Sequence, residues 1–302
     1  MALPGDAVMI EVGLNEGAGR GVNPHVPVTA AEVAADARRC RDAGAVLVHW
    51  HARGASEDER LDDADEYAAA LGPMRADGLL AYPSYAVDGV PVNRRLDHVW
   101  DLHARCGLEL APIDSGSVTN VPWNPRLHDF VGLDWLRTRS GVVDNPLAFV
   151  VDAVQMAEAR GMVPTFGAFD VGCSRIVAML HDSGRIAGPV LHKVFLSEGW
   201  AVGPAPSVAA LDLHVAQLPA GLDAEWIVVP YAHHDPAVVE TLCRAALERG
   251  GHVRVGIGDS PAADPEATNA DLVARVVGWA RDAGRPIAEP AAARARLGLT
   301  PA

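Results

Sequence analysis

Eight short apolar, β-branched runs, separated by longer Ala-, Arg- and Asp-rich stretches of helical period, constrain this chain more than any other feature. The runs predict strands at Val8–Leu14, Ala45–His49, Leu79–Tyr82, Leu108–Ile113, Met162–Gly167, Val190–Leu196, Trp226–Val229 and Val253–Val255. Eight strands, each followed by a helix, is the number that closes a parallel α/β barrel, the (β/α)8 or TIM barrel. No break in composition divides the alternation, so residues 1–302 are expected to form one domain. Hydrophobic residues make up 49% of the chain and aromatics only 5%, so Ala, Val, Leu and Ile must fill the interior. Helix boundaries are also legible. Thr29-Ala-Ala-Glu32 is a capping box, and Gly44 is placed to end the helix it starts. Ser115–Asn145, which holds Trp123 and Trp135, is the longest stretch without clear period and reads as an elaborated loop above the fourth strand. A doubly wound open sheet is the structural rival. It would want a glycine-rich phosphate turn after its first strand, but Gly13-Leu-Asn-Glu-Gly-Ala-Gly19 does not lead directly into a helix.

Charge and cysteine usage exclude several function classes. The formal net charge of −14 disfavours nucleic acid and anionic membrane, both of which need a basic footprint, so an anionic ligand would require a local arginine cluster. The four cysteines, Cys40, Cys106, Cys173 and Cys243, are widely spaced and read as reduced thiols of the core. The N-terminal stretch lacks a charged n-region and cleavage site, and no apolar run is long enough to span a bilayer, so a cytoplasmic location is expected.

The chemistry-bearing residues cluster after the strands. His49-Trp50-His51 ends the second run, which places two imidazoles at i and i+2 on one side of a strand, the spacing at which one strand offers two nitrogens to one ion. Zinc or another divalent metal is the expected occupant, against the plainer reading of two hydrogen-bonded structural histidines. Two imidazoles do not complete a site, and Glu16, Asp114, His234 and Asp259 are all candidates for the remainder. Arg53 keeps the parity of the histidines and suits either an anion near the metal or a surface ion pair. Arg254, in the eighth strand, has the planar fork that suits a carboxylate or phosphate, and Asp259 lies just beyond in a glycine-rich turn where a base could sit. The alternative is a plain ion pair between those two. Lys193 is the only lysine in the chain and lies within the sixth strand, where it could form a Schiff base, pair with a buried charge or snorkel to the rim. Of His233 and His234, one is expected to face the mouth and the other to cap the helix beginning near Asp235. Ser84, Ser115 and Ser117 are hydrogen-bond donors suited to a carboxylate or thioester oxygen, or equally to helix caps.

Taken in order, Leu14-Asn-Glu-Gly, Pro24-His-Val-Pro-Val-Thr29, Ala43-Gly-Ala-Val-Leu-Val-His-Trp-His51, Asp114-Ser-Gly-Ser117 and Gly250-Gly-His-Val-Arg-Val-Gly256 resemble the β-keto acid cleavage enzymes, a family that includes 3-keto-5-aminohexanoate cleavage enzyme. The resemblance runs over nearly the whole chain and implies a (β/α)8 homotetramer that condenses a β-keto acid with acetyl-CoA and releases acetoacetate and a new CoA thioester. It implies metal binding at His49 and His51, a carboxylate-facing arginine at Arg254 and a base at Asp259. Glu16, Ser84, Asp114, Ser117 and His234 are implied near the substrate. One departure stands out: the glutamate that supplies the family's third metal ligand, immediately before the aspartate, is Gly258 here. The rivals are a metal-dependent or Lys193 Schiff-base aldolase or lyase, and a non-catalytic metal- or ligand-binding barrel.

Overall fold

The computed structural model describes residues 7–54, 56–87, 89–132 and 141–300. Eight parallel strands, β1 (Ile10–Gly13), β2 (Leu47–Trp50), β3 (Leu80–Pro83), β4 (Leu110–Asp114), β5 (Val163–Ala168), β6 (Val190–Ser197), β7 (Ala224–Tyr231) and β8 (His252–Val255), pair in the order β3-β2-β1-β8-β7-β6-β5-β4. β3 and β4 meet at the seam, which makes the barrel nearly closed. All eight expected strands are present. The first is shorter than its apolar run because Val8 leaves the barrel ladder to bridge Ile287, while β7 is longer because it pairs with β6 along its whole length.

Helices α1 (Ala30–Ala43), α2 (Ala64–Ala76), α3 (Asp97–Cys106), α4 (Leu147–Glu158), α5 (Val171–Asp182), α6 (Val208–Val215), α7 (Pro236–Glu248) and α8 (Asn269–Asp282) connect or follow the strands, and α9 (Pro290–Arg296) comes last. The capping box at Thr29 and Glu32 forms as expected, and Gly44 ends α1 at φ 122°. Asp235, rather than a histidine, caps α7, its carboxylate accepting from Ala237 N. All four cysteines are free, and three of them are buried. Among the described residues no helix is long and apolar enough to cross a membrane.

Strand alternation splits the core in two. Outward side chains such as Ile10, Val12, Val48, Val194, Val228 and Val253 pack beneath the helices. Inward ones form a second cluster, including Met9, Leu47, Leu80, Leu110, Val163, Leu191 and Ile227, closed from below by Ala288, Ala293 and Leu297. Above β4, the stretch read as an elaborated loop folds into two short antiparallel ladders, Val118–Thr119 with Val142–Val143 and Trp123–Asn124 with Asp129–Phe130. It rests on the loop after β6 through Trp123 N to Gly199 O (3.0 Å) and Ala201 N to Val121 O (2.7 Å). Trp135 lies outside the described residues.

Candidate active site and metal centre

Register assembles the centre. It places Gly13 beside His49, His49 beside Tyr82, and Glu11 beside Arg254. These side chains come from neighbouring strands and converge inside the barrel just above its apolar floor. The loop after β1 bends over them, with Glu16 in the left-handed region at φ 23°. Asn15 fixes that loop against the end of β2: its carboxamide accepts from His51 N (2.8 Å) and donates to His51 O (3.0 Å). Arg53 donates to the backbone carbonyls of Asn15 and Glu16, so it holds the loop that carries Glu16, and its Nη2 also pairs with Glu59 at 3.8 Å.

Glu16, His49 and His51 bring one ligand atom each within 4.8 Å of one another. Both imidazoles have their other nitrogen committed. His49 Nδ1 lies 3.2 Å from Tyr82 O, a carbonyl that can only accept, and His51 Nδ1 lies 2.6 Å from Glu59 Oε1. The His49 proton therefore sits on Nδ1 and leaves its Nε2 lone pair toward the centre, and a partner on the outer nitrogen is usual for a metal-binding histidine. Burial first, with the positive charge of Arg254, brings the His49 pKa down to about 3, so this ring is neutral. Burial acts to raise the Glu16 pKa, but Arg254 and His49 outweigh it and hold the carboxyl well below its usual range. A lone pair and a carboxylate thus face each other, His49 Nε2 to Glu16 Oε1, at 3.1 Å.

Gly258 explains why the third carboxylate comes from the β1 side. A Cβ there would lie 2.8–2.9 Å from backbone atoms of Asn15 and Glu16, so the loops after β1 and β8 touch backbone to backbone and no side chain fits between them. Gly13 has a matching requirement, because its Cβ would lie 2.7 Å from Asp259 Oδ2 and 2.8 Å from Arg254 Nη2.

Arg254 is fully buried and paired to three carboxylates: Asp259 (2.6 Å, Nη2 to Oδ1), Glu16, and Glu11 (3.1 Å). The ion pair weighed for Arg254 and Asp259 is therefore real, and it sits inside the site. Burial is the main cause that pushes Asp259 up to about 7, with Arg254 opposing and Glu16 assisting. Lys193 Nζ donates to the Tyr82 hydroxyl (3.0 Å), which in turn donates to Glu11. Burial brings the Lys193 pKa down to about 8, which still leaves mostly ammonium at neutral pH, so its nitrogen is held as a donor and is not a free nucleophile. Asp114, at the end of β4, accepts from Tyr85 OH (2.9 Å), and its pKa is raised by burial.

Two candidates are tied down away from this centre. Ser117 Oγ donates to Asp144 (2.9 Å) and accepts from Asn145 N (2.8 Å), tying down the base of the excursion above β4. His234 packs against Glu198, its backbone N donating at 2.9 Å and its ring Nδ1 lying 3.6 Å from the same carboxylate, too far for a hydrogen bond, while His233 lies buried on Leu196 O (2.9 Å). Ser84 follows β3, and its carbonyl accepts from His98 Nε2 (2.7 Å). Sequence reasoning missed Glu11, Tyr82 and Glu59. Glu11 did leave a signal as the one charged residue within the first apolar run, two positions before Gly13. Glu59 left none.

The model of the beta-keto acid cleavage enzyme family matches residues 7–299 of this chain. The chain is 28% identical over 282 residues to 3-oxoadipate:acetyl-CoA acetyltransferase of Cupriavidus necator, covering 92% of this chain and 89% of that protein. It is 27% identical over 285 residues to 3-keto-5-aminohexanoate cleavage enzyme of Fusobacterium nucleatum, covering 92% of each. Among solved structures, the ternary complex of ObcA with a C4-CoA adduct and oxalate shares the fold, with a TM-score of 0.68 at 18% identity over 91% of this chain and 68% of that one. A family match that runs from the first barrel strand to the turn after the last helix shows that the chain belongs to the beta-keto acid cleavage enzyme family.

Proposed function

We propose that this chain condenses a β-keto acid with acetyl-CoA and cleaves the adduct to acetoacetate and a new CoA thioester, using a divalent cation held by His49, His51 and Glu16. The observation that carries the metal reading is the 3.1 Å approach of His49 Nε2 to Glu16 Oε1, with the His49 proton already committed to Tyr82 O. Two acceptors at that distance repel unless a cation or proton lies between them, and two imidazole nitrogens with one carboxylate oxygen are a donor set that suits zinc. When bound, such an ion polarises the keto oxygen and lowers the cost of an enolate.

The chain's own groups supply the rest. Asp259, with a pKa of about 7, is matched to taking a proton near neutral pH from the carbon between keto group and carboxylate. The carbanion forms a bond to the acetyl carbonyl, and CoA thiolate leaves. The thiolate then attacks the original keto carbonyl, the old carbon–carbon bond breaks, and the proton on Asp259 goes to the departing acetoacetate carbon. No enzyme nucleophile is needed. Arg254 offsets the negative charge that builds up during these steps, from a site dry enough for that to matter. Asp114 and Tyr85 bound the mouth on the β3 and β4 side, where Ser84 also emerges. Ser117 and His234, placed near substrate by resemblance, are tied down elsewhere by Asp144 and Glu198 and are assigned to the loops that frame the mouth. The proposed assembly is a homotetramer in the cytoplasm.

The test is turnover by the zinc-loaded protein. With acetyl-CoA and a panel of β-keto acids, acetoacetate and the matching acyl-CoA are expected in equal amounts. Full zinc occupancy without turnover across the panel would instead indicate a non-catalytic metal- or ligand-binding barrel. Borohydride trapping that modified Lys193 would favour the Schiff-base lyase.

A further inference from the structure

Arg254 has no free edge. Its Nε lies 3.1 Å from both Asp259 oxygens, Nη2 reaches Asp259 Oδ1 and Glu16 Oε1, and Nη1 reaches Glu11 Oε1 at 3.1 Å and Tyr82 OH at 3.5 Å. A guanidinium carries five N–H donors, and three carboxylates and a hydroxyl take them all. An incoming keto-acid carboxylate can pair with Arg254 only after one partner withdraws.

The partners differ in how firmly they are held. Glu11 is fully buried and is fixed by the Tyr82 hydroxyl, itself held by Lys193. Asp259 grips two adjacent nitrogens of the guanidinium in a fork that Gly13 leaves room for. Glu16 makes one contact to Arg254, and the same Oε1 faces the His49 lone pair at 3.1 Å. Its carboxylate is shared between two claimants.

We infer that Glu16 is a positioning residue that occupies the anion-binding edge of Arg254 until a divalent cation at His49 and His51 draws its carboxylate away, so that cation binding opens the arginine to the keto acid. This deepens the proposed function and rests on its metal site and on the role given to Arg254. A twofold positive ion competes with a single guanidinium for one carboxylate, and whatever weakens the Glu16–Arg254 pair strengthens any other anion's claim on Nη2. Linkage makes the effect reciprocal, so the keto acid tightens the cation in turn.

The experiment is calorimetric titration of acetoacetate, without acetyl-CoA, into chelator-treated and zinc-loaded protein. Zinc is expected to tighten acetoacetate about tenfold in the wild type, within the usual range of coupling between sites. Direct contact of acetoacetate with zinc would give the same sign, so the deciding arm is metal-free. Metal-free Glu16→Gln, whose carboxamide cannot hold Arg254 as an ion pair, is expected to bind acetoacetate about tenfold more tightly than metal-free wild type. The gain must vanish in Glu16→Gln/Arg254→Gln. Equal affinity of metal-free Glu16→Gln and wild type overturns the inference, as does a gain that survives the loss of Arg254, because either removes the competition for that edge. Glu16→Ala is read the same way if the glutamine variant does not fold. Zinc content by mass spectrometry separates the two readings: a wild type that takes up no zinc fails the metal site, whereas the metal-free comparison bears on the competition alone.

Discussion

The lower and upper halves of the barrel interior are built on the same strands, two residues apart. Met9 gives way to Glu11 on β1, Leu47 to His49 on β2, Leu80 to Tyr82 on β3, and Leu191 to Lys193 on β6. One step of the strand period along the inward face turns a packed apolar layer into a layer of buried polar and charged groups. The lower half gains stability from each methylene it buries. The upper half keeps Glu11, Glu16, Asp114 and Asp259 around Arg254 and Lys193, an excess of carboxylates that costs stability and favours a cation. The floor supplies rigidity and the layer above it supplies reactivity, so substitutions in the two should separate stability from turnover.

The largest expected effect is in the upper layer. Asp259→Asn is expected to retain zinc and lower kcat by about 10²–10⁴, the usual contribution of a positioned base, whereas His49→Ala is expected to lose both zinc and turnover. Paired metal analysis and steady-state rates check this, and a fully active Asp259→Asn would remove its assignment as base. The counterpart in the floor is Leu191→Ala, expected to cost about 2–5 kcal/mol in denaturant unfolding while the folded fraction keeps its kcat. A loss of kcat at full folding would mean that the two layers are not separable. Smaller again is Gly258→Ala, whose Cβ meets backbone of Asn15 and Glu16. It should cost about 1–3 kcal/mol through overpacking and also weaken zinc, because the strain falls on the loop that presents Glu16. The mildest effect is in pH dependence. Burial raises the Asp259 carboxyl to about 7, so kcat/KM should rise with pH as the base deprotonates, and a bound cation should draw the midpoint below that value. This acid limb should be absent from the residual rate of Asp259→Asn, and its persistence there would assign it to another group.

Legibility followed the range of the interaction. The strands could be read from local period, and the HxH pair from parity alone, since residues i and i+2 on a strand share a face whatever the rest of the chain does. The capping box at Thr29 and the stop at Gly44 are equally local. Ser117 and His234 looked like site residues because they follow strands. Each instead found a nearer partner, Asp144 and Glu198, and nothing in their own sequence context announces those partners.

The sequence by itself determined the barrel, the position of the two imidazoles and the presence of an arginine and an aspartate at its rim. Only the tertiary structure decided that Arg254 would be closed off by Glu11 and Glu16, residues more than 230 positions away, and that Glu16 would be the carboxylate beside His49. The physical reason is ring closure. Pairing β8 with β1 brings the two ends of the chain together, and the backbone contact at Gly258 leaves room there for a carboxylate only from the β1 side.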